Sequence, residues 1–183
     1  MSRAGATPVV IRAAADADLP AIAELYAHHV LTGTASFEVS APTVDEMRRR
    51  RRDVLSNGLP YFVASLSDTG ADLAGYAYAT EYRSRVAYRH TVEDSVYVDP
   101  VCVRRGAGRA LLAAVIAACE TLGYRQMVAV IGGSDNAASI SLHAALGFRH
   151  AGVLPAVGRK FDRWIDTVLM QRALGPGAST PAP

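Results

Sequence analysis

The stretch from Ser95 to Leu122 constrains the fold more than any other part of the chain. A β-branched and aromatic run at 96–98 breaks at Asp99-Pro100 and leads into an arginine- and glycine-rich segment at 104–109. Beyond this segment, apolar residues recur at helical spacing: Leu111, Ala114, Val115, Ala118, Cys119 and Leu122. The pattern predicts a strand, a loop large enough to hold a phosphate group, and a helix.

The start of this helix is a predicted anion site. Its first backbone N–H groups have no partner within the helix, and the helix dipole adds a partial positive charge. Gly106 and Gly108 let a ligand approach the backbone, and three arginines stand beside them: Arg104, Arg105 and Arg109. We expect a pyrophosphate here. The alternative is a helix start with glycines for tight packing, and neither a P-loop nor a dinucleotide fingerprint fits the spacing.

Composition bounds the class of protein. The chain has 183 residues, half of them hydrophobic, which suits one domain with a sizeable core. A net charge of +2 is too small to indicate a nucleic-acid partner. No apolar run approaches about 20 residues and no signal peptide is visible, so we expect a cytoplasmic protein without a membrane partner. Cys102 and Cys119 lack the spacing of metal ligands or of a disulfide framework, so no metal site is expected.

The chain is predicted to form one domain at 9–174, with flexible segments at 1–8 and 175–183. Asp18 is predicted to cap the first helix, and Thr43-Val-Asp-Glu46 is a capping box for the second. The predicted strands are 9–12, 61–66, 73–80, 91–98, 127–131, 148–154 and 163–174, with a short helix at 137–146. Gly75 indicates a bulge or a close approach in its strand.

Two clusters of polar residues in the sequence have more than one interpretation. His28 and His29 stand near a helix end, where a solvated or dipole-stabilised pair is favoured over a ligand pair. The five consecutive arginines at 48–52 point around a helix, so a solvated surface is favoured over an anion contact.

The order of elements over residues 9–174 resembles the GNAT N-acetyltransferases. Val103-Arg-Arg-Gly-Ala-Gly108 is similar to the family's Gln/Arg-x-x-Gly-x-Gly/Ala loop, except that Val103 stands where the family has Gln or Arg. Asn136-Ala-Ala-Ser139 and Leu142-His-Ala-Ala-Leu-Gly-Phe148 are similar to the family's closing motifs. The resemblance implies an α/β (α+β) fold, with a mixed, mostly antiparallel sheet of about seven strands flanked by about four helices. It also implies acetyl-CoA as cosubstrate.

Three further segments resemble the phosphinothricin and methionine sulfone/sulfoximine acetyltransferases. They are Thr91-Val-Glu-Asp-Ser-Val-Tyr-Val98, Leu142-His143, and Gly158-Arg-Lys-Phe161 through Trp164-Ile-Asp166. This likeness implies acetylation of the α-amine of a small amino-acid-like substrate. A homodimer and herbicide resistance are implied with it.

Acetyl transfer to an amine requires a base, because a protonated amine cannot attack a thioester. Glu93 is the predicted base, since a carboxylate flanked by Val92 and Val96 could have its pKa raised by desolvation. An edge salt bridge to an arginine is the alternative. His143 is the candidate to protonate the leaving thiolate or to assist the base, and a purely structural histidine is the alternative.

The resemblance implies the remaining site residues. The cofactor residues are Val96, Tyr97 and Val98, whose backbone would hold the pantetheine and polarise the acetyl carbonyl; Arg104, Arg105, Gly106, Ala107, Gly108 and Arg109 at the pyrophosphate; and Asn136 and Ser139 at the pantetheine arm. The predicted substrate residues are Thr34, Phe37, Arg83, Arg85 and Tyr88, the arginines pairing with carboxylate or phosphinate oxygens. The structural alternative for Phe37 is a side chain that only fills the core.

Two other functions stay open from the sequence. One is a GNAT enzyme for another amine, such as a polyamine, an aminoglycoside or a protein N-terminus, although Arg83, Arg85 and Arg89 argue against a polycation. The other is a non-catalytic acyl-CoA sensor, which the presence of Glu93 and His143 makes less suitable.

Overall fold

The computed structural model describes residues 8–67 and 72–181. Its helices are α1 (Leu19–Thr32), α2 (Val44–Ser56), α3 (Ala107–Thr121) and α4 (Ala137–Ala145). Its strands are β1 (Val10–Ala13), β2 (Tyr61–Ser65), β3 (Leu73–Glu81), β4 (Thr91–Val98), β5 (Gln126–Gly132), β6 (Arg149–Lys160) and β7 (Arg163–Ala173). The described helices are too short or too polar to cross a membrane.

The seven strands form one sheet in the order β1-β2-β3-β4-β5-β7-β6. Among the described strands, β4 and β5 are the pair that runs parallel, and the other neighbours are antiparallel. This confirms the predicted α/β (α+β) architecture of a mixed, mostly antiparallel sheet with four helices.

The helices cover opposite faces of the sheet. On one face, Tyr76 of β3 stacks on Tyr97 of β4, and Tyr26 of α1 meets the Tyr97 ring edge-on at 5.0 Å. On the other face, a Cβ placed on Gly75 would lie 3.1 Å from Leu111 of α3 and 2.6 Å from the Tyr97 carbonyl oxygen. The predicted close approach at Gly75 is therefore confirmed.

The helix starts agree only in part with the predicted caps. Thr43 accepts a hydrogen bond from the Glu46 backbone N–H at 3.2 Å, as a capping threonine does. Glu46 does not complete the box, because its carboxylate pairs with Arg49 and Arg50. Asp18 precedes α1, but its carboxylate accepts from the Ala15 N–H and pairs with Arg12 instead of capping the helix.

The arginine run of α2 ties elements together. Arg50 binds Glu38 of the α1–α2 loop at 2.7 Å, and Arg51 binds Asp16 at 2.7 Å. Arg51 also donates to the Ala14 carbonyl oxygen. The interpretation of the run as a solvated surface is therefore wrong for Arg50 and Arg51.

The last hairpin is longer than predicted. The first predicted strand ends at 154 and the second begins at 163, whereas β6 continues to Lys160 and the turn is confined to Phe161 and Asp162, both with positive φ. Two such residues are typical of a tight hairpin turn, for which Asn-Gly is the readable signal. Phe161-Asp162 lacks that signal, so the turn could not be read from the sequence.

Residues 1–7, most of the predicted turn at 67–71, and 182–183 lie outside the described residues. Within the predicted flexible tail, Thr180 and Pro181 accept hydrogen bonds from the Arg125 guanidinium. The flexibility of both ends stays a prediction.

Candidate active site

A split in the sheet creates the candidate site. The parallel ladder between β4 and β5 ends at the pair Asp94 and Ala129. Beyond it, β4 continues beside β3 to Val98, and β5 continues beside β7 to Gly132. The facing edges of residues 95–98 and 130–132 therefore lack a strand partner in the part of the chain that is described. Between them opens a cavity of about 890 Å³.

The predicted phosphate loop closes one end of this cavity. Gly106, with φ of 92°, is the residue before α3, and no side chain caps the helix there. Five loop residues line the cavity: Arg104, Gly106, Ala107, Gly108 and Arg109. None of the three loop arginines makes an ion pair with a described residue. An uncapped helix start with free guanidinium groups fits a bound pyrophosphate.

Gly108 brings this helix start close to β4. A Cβ on Gly108 would lie 3.1 Å from the Val98 side chain and 3.4 Å from Leu142. The tight-packing interpretation of the glycines therefore holds at Gly108, whereas anion binding at Gly106 stays a prediction. Val103, the departure from the family pattern, also lines the cavity.

His29 is part of the cavity wall, which the sequence did not indicate. Its Nε2 lies 2.9 Å from the Val98 carbonyl oxygen, and its ring lies 5.5 Å from that of Tyr97. Burial lowers the pKa of His29, so the neutral ring donates its Nε2 proton to this carbonyl. The solvated-pair interpretation is wrong for His29.

The start of α4 supplies another wall. The Asn136 side chain accepts from the Ser139 backbone N–H at 3.2 Å and so caps α4. Both residues line the cavity, as do Val96, Tyr97 and Val98 of β4. The cofactor residues predicted from the resemblance therefore surround one cavity, with the exception of Arg105, which does not line it.

A buried ion pair lies where the sheet splits. His143 Nε2 lies 3.0 Å from Asp94 Oδ2, and His143 Nδ1 lies 2.7 Å from the Ser139 carbonyl oxygen. The side chains of His143 and Asp94 are 5% and 1% exposed. Because both partners are acceptors, both ring nitrogens carry protons. Burial would lower the pKa of His143, but the hydrogen bond and charge of Asp94 raise it overall.

Glu93 lies on the other face of β4 from Asp94. By strand alternation it shares the face of Ser95 and Tyr97, and it is half-buried. Burial and the charge of Asp94 raise the pKa of Glu93, and Arg83 opposes the shift. Glu93 makes no ion pair within the described ranges, so the salt-bridge alternative finds no support there. The raised pKa is the property that a general base for an amine needs.

The predicted substrate residues fall into two groups. Thr34 and Phe37 lie on the α1–α2 loop, against the end of β5 and the last hairpin. Arg83, Arg85 and Tyr88 are exposed on the connection from β3 to β4. None of the five lines the cofactor cavity. Arg83 is close enough to Glu93 to affect its pKa, which places this connection beside the predicted base.

Comparison with known proteins defines the class of enzyme. A model of the acetyltransferase (GNAT) domain matches residues 11–169. The phosphinothricin N-acetyltransferase of Alcaligenes faecalis is 56% identical over 98% of this chain and 88% of its own length. The L-methionine sulfoximine/L-methionine sulfone acetyltransferase of Pseudomonas aeruginosa is 39% identical over 93% of this chain and 98% of its own length.

A solved structure agrees with these relatives. The phosphinothricin acetyltransferase of Sinorhizobium meliloti, crystallised with acetyl-CoA, superimposes with a TM-score of 0.91 at 45% identity, covering 96% of this chain and 93% of that one. The chain is thus an acetyltransferase. It belongs to the GNAT family, and its cosubstrate is acetyl-CoA. The split sheet, the uncapped helix start and the free arginines described above fit that cosubstrate.

Proposed function

We propose that the enzyme transfers the acetyl group directly to the α-amine of a small amino-acid-like substrate, with Glu93 as general base. The candidate substrates are phosphinothricin, methionine sulfone and methionine sulfoximine. The half-buried carboxylate of Glu93, with its raised pKa and beside the split in the sheet, is the observation that carries the proposal. The names of the relatives support the substrate class.

In the proposed reaction, different residues bind acetyl-CoA, accept the proton and stabilise the developing charge. Bound acetyl-CoA supplies an activated carbonyl: the amine nitrogen bonds to its carbon, the carbon–sulfur bond breaks, and the leaving thiolate takes up the second proton that the nitrogen loses as it becomes an amide. Glu93 takes the proton that the ammonium must lose before it can attack. The free edge of β4 offers N–H groups to the carbonyl oxygen as it gains negative charge. The start of α3 and its arginines hold the pyrophosphate.

We propose a positioning role for His143 in place of proton transfer to the thiolate. Its two ring protons are already donated to Asp94 and the Ser139 carbonyl. A side chain held in this way links β4 to α4 across the base of the cavity. Its fixed positive charge also partly offsets the charge of Asp94 near Glu93.

The substrate class is tested by thiol release from acetyl-CoA with the wild-type enzyme. We expect turnover at about 1–100 s⁻¹ on at least one of phosphinothricin, methionine sulfone and methionine sulfoximine. Spermidine, an aminoglycoside and a peptide with a free N-terminus serve as comparison amines. Higher kcat/KM on one of these would overturn the substrate class. Bound acetyl-CoA without turnover of any amine would point to the acyl-CoA sensor.

We also propose a homodimer, located in the cytoplasm. The last hairpin and its flanking strands expose several large apolar side chains: Val153, Leu154, Val157, Phe161 and Trp164. Exposed apolar surface of this kind is typical of an interface between proteins. Sedimentation velocity should therefore give a dimer for the wild type and a larger monomer fraction for Trp164→Arg. A monomeric wild type would contradict the proposal. The cytoplasmic location stays a prediction from the sequence.

A further inference from the structure

The α1–α2 loop, residues 33–43, fits against two glycines. A Cβ on Gly132 of β5 would lie 2.1 Å from the Thr34 carbonyl oxygen. A Cβ on Gly158 of β6 would lie 2.2 Å from Phe37 Cε2, inside the ring's contact distance. A side chain at Gly132 would push the loop backbone away from the sheet, and one at Gly158 would displace the Phe37 ring. The observed position of the loop therefore requires a residue without a side chain at both sites.

A hydrogen bond from Lys160 connects the same loop to the last hairpin. This lysine is 4% exposed, and its ammonium donates to the Ser36 carbonyl oxygen at 2.7 Å. It makes no ion pair with any residue in the described ranges. Burial lowers the pKa of Lys160, and the charge of Glu38 opposes that shift. Among the described residues, the other partner of Lys160 is the Phe161 ring, whose centroid lies 5.1 Å from the ammonium. Burying a cation without a carboxylate partner is costly, which indicates that the contact with Ser36 positions the loop.

Hydrogen bonds and an ion pair also connect the loop to α1 and α2. The Ser36 hydroxyl lies 2.8 Å from the Tyr26 hydroxyl, which donates to Glu38 Oε1 at 2.8 Å. Arg50 then binds both oxygens of Glu38, at 2.7 and 3.2 Å. The loop is thus held from α1 and α2 on one side and from β6 on the other.

We propose that Lys160 and Gly158 form a clamp that positions the α1–α2 loop and thereby sets the affinity for the amine substrate. Lys160 is a positioning residue in this assignment, because it acts through the Ser36 backbone. Neither Lys160 nor Gly158 lines the acetyl-CoA cavity, and Ala35 is the residue of the loop that does, so the clamp should act mainly on the amine side. Its effect on catalysis rests on the proposed function and on the prediction, from the family resemblance, that Thr34 and Phe37 contact the amine substrate.

The test uses Lys160→Met and Gly158→Ala in the full chain. Each should raise KM for the amine about 10-fold or more, while KM for acetyl-CoA changes by less than about twofold. Arg159→Met is the control for the lysine, because Arg159 is exposed and pairs only with the nearby Asp162 among described residues. Gly152→Ala is the control for the glycine, because a Cβ there meets no atom within 4 Å. An equal rise in both KM values, or none, would overturn the clamp.

Hydrogen–deuterium exchange provides a readout that needs no substrate. Exchange in residues 33–43 should rise about 10-fold in both clamp variants, with little change in β2 and β3. Unchanged exchange in the loop would overturn the clamp even if activity fell. Wild-type enzyme that turns over none of the three substrates would overturn the proposed function alone, because the exchange result would still decide the clamp.

A double-mutant cycle distinguishes loss of the clamp from general misfolding of the variants. Phe37→Ala removes the ring that Gly158 accommodates, so adding Gly158→Ala to it should not increase exchange in the loop further. Fully additive effects would show that Gly158 acts elsewhere and would contradict the clamp.

Discussion

Glu93→Gln should lower kcat/KM for the amine by about 100-fold or more, the range that a positioned general base supplies. The amide keeps the size of the side chain but cannot accept the proton of the ammonium. Acetyl-CoA affinity should change little, because Glu93 does not line the cofactor cavity. Thiol release measures the first effect, and titration calorimetry with acetyl-CoA measures the second.

The pH profile separates a base from a merely structural carboxylate. Because burial and Asp94 raise the pKa of Glu93, the fraction in the base form increases as pH rises through a value above the usual 4.5. The acidic limb of kcat/KM should therefore lie above that value in the wild type and disappear in the variant. Glu81→Gln, at the exposed end of β3, is the matched control and should keep the wild-type profile. Full activity in Glu93→Gln would show that a group other than Glu93 is the general base.

Local sequence signals predicted most of the fold. The strand, loop and helix from Ser95 to Thr121 follow one another in the chain, so each signal constrains its neighbour. The glycine at 106 has the positive φ that a residue with a side chain rarely adopts, and Thr43 caps α2 through a contact three residues away. Such signals depend on residues a few positions apart. They therefore predict the same helix or turn whatever the rest of the chain packs against it.

The contacts that complete the site could not be read in this way. His29 reaches Val98 across 69 residues, His143 reaches Asp94 across 49, and Lys160 reaches Ser36 across 124. No periodicity or motif relates such positions, because the register of a sheet and the placement of its helices decide which side chains meet. The resemblance to a family identified His143 as a candidate but not the acceptors on its two nitrogens.

The split of the sheet depends both on local sequence signals and on long-range strand pairing. The sequence predicts β4 and β5 as strands, but the point at which they separate depends on the pairing of both with other strands. That point falls at Asp94. Because side chains alternate along a strand, Glu93 and Asp94 point to opposite faces of the sheet at this point. Glu93 faces the α1–α2 side, whereas Asp94 is buried against α4. The chain therefore places two carboxylates next to each other and separates their roles by the alternation of the strand.

Replacing Asp94 tests the second of these carboxylates. Asp94→Asn leaves the buried imidazolium of His143 without a charged partner, which should lower the free energy of unfolding by about 3 kcal/mol. Chemical denaturation measures this loss. Asp162→Asn is the matched control, because its ion pair with Arg159 is exposed and should contribute less than about 1 kcal/mol.

The pH dependence of the same variant identifies the cause. In the wild type the pKa of His143 is raised above its usual 6.5, so the pair stabilises the fold fully below that pH and less as pH rises through the folded-state value. In Asp94→Asn burial is no longer opposed by a carboxylate, and the pKa of His143 should fall below 6.5. The stability difference between the two proteins should therefore be larger below pH 6.5 and shrink as pH increases. Proton NMR of the His143 ring follows its titration directly, and a pKa that stayed above 6.5 in the variant would show that Asp94 does not hold the charge on His143.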